Sequence, residues 1–131
     1  MIVDSSALLA ILKEEPEAAK FIDLVDGTLH CRISAVNYVE TAVVVDSNRD
    51  PVMSRQFEEF LQQAGIEIEP VTVLQAHIAR EAYRDFGKGS GHRARLNFGD
   101  CFAYALAKES DEPLLFQGND FSETDVKPAM P

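Results

Sequence analysis

Apolar residues open the chain as Met1, Ile2 and Val3 and stop abruptly at Asp4. The run reads as a short strand, and Ser5 or Ser6 behind it supplies a cap for a helix carrying Ala7, Leu8, Leu9, Ile11 and Leu12. Pro16 opens a second helix with an apolar stripe of Phe21, Ile22, Leu24 and Val25, and Gly27 is expected to end it in the left-handed conformation. Residues 29–33 read as a second strand. Ser34 then caps a long helix that runs to Asn48, and Pro51 begins another with Phe57, Phe60 and Leu61 inward and Gly65 as its stop.

Further on, Ile66, Ile68 and Pro70 alternate with Glu67 and Glu69, the period of a strand with one wet face, near a sheet edge. Thr72 and Gln75 form a capping-box pair at the head of a helix reaching Phe86. Residues 87–91, with three glycines and a serine, predict a flexible loop, and the spacing of Asn97 and Asp100 marks another helix start. Residues 113–116 make the last strand, and the tail beyond Val126 is expected to be irregular. Short strands separated by helices predict an α/β fold. The expected architecture is a three-layer sandwich with a central, mainly parallel sheet of four to five strands, in a single domain over residues 1–131.

On this scaffold certain acids look misplaced. Asp4 stands at the C-terminal end of a strand, where open α/β sheets place ligand sites, although a helix cap explains it equally well. Glu40 falls on the stripe formed by Val36, Val39 and Val43, so a carboxylate faces the core unless it sits at the stripe's edge or pairs with an arginine. Asp100 occupies the first turn of its helix, a favourable place for negative charge in any protein. Asp120 follows the last strand in Gly118-Asn119-Asp120-Phe121, where a turn aspartate is the ordinary reading. Ser6, Asn97 and Asn119 are polar residues placed to support these four. Carboxylates without histidine or thiolate partners suit Mg²⁺ or Mn²⁺. Two such ions about 4 Å apart promote phosphodiester hydrolysis.

Composition narrows the field. With 46% hydrophobic residues in 131, a core forms without staples, and Cys31 and Cys101 show no zinc or C-x-x-C spacing. No stretch reads as a signal peptide or a membrane span, so a soluble cytoplasmic protein is expected. The net charge of -10 opposes a nucleic-acid partner. Yet Arg80, Arg84, Lys88, Arg93 and Arg95 fall in one segment, opposed by Glu81 and Asp85 alone. That segment suits either RNA binding or a solvated helix face.

The same residues resemble the motifs of PIN-domain proteins, in particular the VapC-type ribonuclease toxins of bacterial and archaeal toxin–antitoxin operons. Met1-Ile2-Val3-Asp4-Ser5-Ser6-Ala7-Leu8 resembles the first motif, with its metal-binding aspartate, and Ser34-Ala35-Val36-Asn37-Tyr38-Val39-Glu40 the second. Leu96-Asn97-Phe98-Gly99-Asp100-Cys101-Phe102-Ala103-Tyr104-Ala105 is similar to the third, and residues 114–121 to the closing motif. In that last motif Gly118 stands where many relatives carry an aspartate, leaving Asp120 as the fourth acid. The resemblance implies a small parallel α/β sandwich, Mg²⁺-dependent endoribonuclease activity, a homodimer, and neutralisation by a VapB-type antitoxin that presents a basic or aromatic side chain to the acids. Competing classes are a Mg²⁺-dependent phosphatase of the haloacid-dehalogenase type or a receiver domain, and a PIN-like module that binds RNA or protein without cutting. The phosphatase would want a second aspartate where Ser6 stands.

Overall fold

In the computed structural model, which describes residues 1–130, alternation along each strand decides which face of the sheet a residue meets. β1 (Ile2–Val3) lies centrally, flanked by β2 (Cys31–Ser34) and β4 (Leu114–Leu115), with β3 (Ile66–Glu69) at the far edge. All pairings are parallel, with Ile2 opposite both Arg32 and Leu114. Val3, Cys31, Ile33 and Leu115 point to one side, into a core with α1 (Ser5–Leu12), α2 (Ala18–Asp26) and α4 (Pro51–Ala64), supplied by Leu8, Phe21, Val25, Phe57 and Leu61. Ile2 and Leu114 point to the other side, where Ala79, Ala82 and Leu106 of α5 (Val73–Phe86) and α6 (Phe98–Ser110) cover them. The expected three-layer parallel sandwich is therefore present, with four strands.

Several local expectations change. Asp4, rather than Ser5 or Ser6, caps α1 by accepting the Ser6 N–H at 3.0 Å. Gly27 stays right-handed at φ -83°, whereas Gly65 takes the left-handed stop at φ 67°. Thr72 caps α5 as expected, but the Gln75 side chain turns away to Glu109, so half of the capping box is missing. Ile68 is exposed beside buried Ile66 on the edge strand β3. The tail is less irregular than expected: Leu114 N–H donates to the Lys127 carbonyl and Ala129 N–H to the Leu114 carbonyl, which covers the open edge of β4.

The largest difference concerns α3 (Ala35–Ser47). Its inner face is Asn37, Thr41 and Val45, while Val39 and Val43 of the expected inward stripe are 55% and 62% exposed. Counting apolar residues misplaces the face because two buried positions are polar and find carbonyl acceptors: Asn37 donates to the Gly99 carbonyl, and Thr41 to the Asn37 carbonyl, while the Asn37 Oδ1 has no partner. Among the described residues, no helix is long and apolar enough to cross a membrane.

Candidate active site

The C-terminal ends of the parallel strands open onto one place. Asp4 leaves β1 with its N–H on the Leu115 carbonyl and its Oδ2 on the Ser6 N–H. It is 2% exposed, and its Oδ1 has no hydrogen-bond partner. Burial pushes its pKa up to about 6, resisted by the hydrogen bonds from Ser6 and reinforced by the nearby charge of Glu40.

Glu40 reaches this place by a different route from the one its helical stripe predicts. It is half-buried, and its Oε1 accepts the Ser5 hydroxyl at 2.5 Å and the Asn37 Nδ2 at 3.3 Å. The same Asn37 amide donates to the Gly99 carbonyl at 2.9 Å and so joins α3 to the head of α6. Gly99 leaves the necessary room: a Cβ there would lie 2.0 Å from Glu40 Oε2.

Asp100 sits one residue further along. Asn97 and Asp100 exchange reciprocal 2.9 Å bonds in a complete capping box, so the Asp100 backbone is fixed by the start of α6. Burial pushes the Asp100 carboxyl up to about 7; the Asn97 bond opposes this, and the charges of Asp4, Asp120 and Glu40 add to it. These four acids thus share one electrostatic neighbourhood. Asp120 is the exposed member, in the turn beyond β4, which Gln117 anchors by donating its N–H to the Ser6 hydroxyl at 3.0 Å. Asn119 contributes its backbone carbonyl to that turn, accepting the Ser122 N–H.

The basic segment is divided. Arg80 and Lys88 line a groove of about 570 Å³ between α5 and α6, next to Asn97 and Phe98. Arg84 pairs instead with Asp85, and Arg93 with Glu123 at 2.9 Å. Arg95 is exposed at φ 54° and makes no ion pair among the described residues.

Ser5, Asn37 and Gly99 belong to the site although none of them is among the candidate site residues of the sequence. Asn37 carried a usable signal, since it lies one helical turn before Glu40 and shares its side of α3. Ser5 and Gly99 meet Glu40 only through the fold.

The residues suit a hard divalent cation. All donors are oxygens, the site carries uncompensated negative charge, and a buried carboxylate oxygen of Asp4 lacks any partner. Among the described residues no three His, Cys, Asp or Glu side chains stand close enough to share one ion, which leaves one or two carboxylates with water as the donor set.

A family model described as PIN domain matches residues 1–127. The chain belongs to the PIN-domain family. Among its PIN relatives, Ribonuclease VapC28 of Mycobacterium tuberculosis is 52% identical over 130 residues, covering 99% of this chain and 98% of that protein. Ribonuclease VapC42 of the same species is 46% identical over 129 residues, covering 98% of each. Two crystal structures share the fold at a TM-score of 0.69. One is Mycobacterium tuberculosis VapC20, a sarcin-ricin loop cleaving toxin, at 16% identity over 97% of this chain and 98% of that one. The other is FitAcB from Neisseria gonorrhoeae, at 20% identity over 98% and 96%. Membership in the PIN family sets aside the phosphatase and receiver readings.

Proposed function

We propose that this PIN domain is a divalent-cation-dependent endoribonuclease, the toxin of a VapBC-type pair acting in the cytoplasm. The observation that carries the reading is Asp4, a carboxylate buried at the end of the central strand with an unpartnered oxygen, beside Glu40 and Asp100. The naming of whole-length relatives as VapC ribonucleases supports the substrate class.

Asp4, Glu40 and Asp100 would hold Mg²⁺ or Mn²⁺, directly or through water, with Asp120 in support. When bound, the ion supplies a Lewis acid and an activated water for phosphodiester hydrolysis. Ser5 and Asn37 keep Glu40 oriented across Gly99, and the capping box keeps Asp100 in place. Arg80 and Lys88 are the members of the basic segment best placed for RNA phosphates, and exposed Arg95 extends them; Arg84 and Arg93 must first leave their acids. Exposed Val39 and Val43 on α3 support a homodimer. A VapB-type antitoxin with a basic side chain suits both the acidic site and the net charge of -10.

The test is cleavage of an RNA panel by purified, antitoxin-free protein. Asp4→Asn, Glu40→Gln and Asp100→Asn should each lower Mg²⁺-stimulated cleavage at least a hundredfold while unfolding stays cooperative. Asp120→Asn should raise the metal concentration required. Full activity in Glu40→Gln would sink the assignment, and RNA binding without cutting by the wild type would mark a non-catalytic module.

A further inference from the structure

The groove between α5 and α6 is formed by Ala76, Ala79, Cys101 and Phe102 with Tyr83 and Phe98 above them, and Arg80 and Lys88 bring positive charge to it. It ends at the head of α6 next to the acidic site: Asn97 and Phe98 line it, and the Asn97 N–H donates to the Asp100 carboxylate at 2.9 Å, although none of the four acids lines the groove itself. Phe98 is 71% exposed, an unusual position for such a ring, and its partner is Phe102, with centroids 4.9 Å apart at 57°. Tyr83 is held in place: its hydroxyl donates to the Lys88 carbonyl at 3.0 Å, and Gly87 packs so closely that a Cβ would lie 2.6 Å from the Tyr83 ring.

Charge decides what fits. In a chain of net charge -10 this groove contains two cations and no acid, whereas the other described grooves include Glu17, Glu69 with Glu109, Glu81 with Asp85, or Asp111 with Glu112. An occupant with an apolar planar body and flanking anions matches both features, and it must also reach the carboxylates. We infer that the groove is a nucleobase subsite of the RNA substrate. One unstacked base lies against Phe98 and Tyr83, Arg80 and Lys88 take the neighbouring phosphates, and the next phosphodiester enters the acidic site. This rests on the ribonuclease reading and assigns the residues that seat the nucleotide beside the cut, whichever base it carries, since stacking and phosphate contacts are both tolerant of sequence.

The experiment titrates fluorescein-labelled octaribonucleotides onto the Glu40→Gln protein in Mg²⁺, followed by anisotropy, with a single abasic position moved along the strand. One abasic position should weaken binding about five- to hundredfold, the range of one base–aromatic stack. Phe98→Ala should cause a similar loss and abolish the sensitivity to that position, and Phe98→Trp should restore it. Arg80→Ala with Lys88→Ala should flatten the salt dependence by about 0.7 for each lost phosphate contact. An unchanged abasic profile in Phe98→Ala overturns the inference, as does an effect of that substitution on self-association or on an acidic amphipathic peptide alone. Because the readout is binding, loss of the subsite and failure of the wild type to cleave RNA are separate results.

Discussion

Glu40 and Gly99 illustrate how much of the site hangs on single atoms. Gly99 is buried against the tip of Glu40, which the Ser5 hydroxyl and the Asn37 amide hold from the other side. An alanine there favours the helix by up to about 1 kcal/mol and collides only with a movable side chain. Gly99→Ala should therefore unfold at or above the wild-type midpoint in urea while losing at least tenfold in RNA cleavage. Retained activity would show that Glu40 needs no fixed place. Asp4 and Asp100 could be read from the sequence because each ends a recognisable pattern, a strand or a capping box. Ser5 could not, since its contact with Glu40 spans 35 residues.

At the scale of elements, the helix starts were the most legible feature. Ser34, Thr72 and Asn97 cap through local hydrogen bonds, which depend on neighbours a few residues away. Asn97→Ala should cost about 1 kcal/mol by urea denaturation, through loss of its 2.9 Å bond to the Asp100 N–H. Its own N–H remains for the Asp100 carboxylate, so cleavage should fall several-fold and survive, in contrast to Asp100→Asn. Unchanged stability would mean the cap is redundant. The orientation of α3 was misread because an apolar count assumes an apolar inner face. Asn37 and Thr41 line that face instead and donate to carbonyls, one of them on another helix.

For the whole molecule, the shared field of the acids links pH, metal and stability. Asp4 and Asp100 are raised from 3.8 to about 6 and about 7, so the folded chain holds protons there that the unfolded chain releases. Their stabilising contribution is present in full below about pH 3.8 and is lost as pH rises through 6 to 7. Asp111 and Asp125, lowered chiefly by hydrogen bonds from Lys127 and Tyr104, act oppositely and lose their contribution in acid. In chelator, the melting temperature should therefore decline from pH 5 to pH 8 by the share of Asp4 and Asp100. Added Mg²⁺ or Mn²⁺ should raise it more at pH 8 than at pH 5.5, since the ion binds the deprotonated acids. A cation effect no larger at pH 8 would contradict a carboxylate-held ion. What the sequence determined by itself was what local chemistry determines: the strand–helix alternation, the caps of α3, α5 and α6, and the parallel α/β class. Only the tertiary structure decided that Glu40 crosses to the site on Ser5 and Asn37, that the basic segment divides between a groove and surface ion pairs, and that Phe98 stands exposed at the mouth of that groove. Those outcomes depend on contacts between residues far apart in the chain, and no periodicity or spacing within one segment encodes which distant surface it will meet.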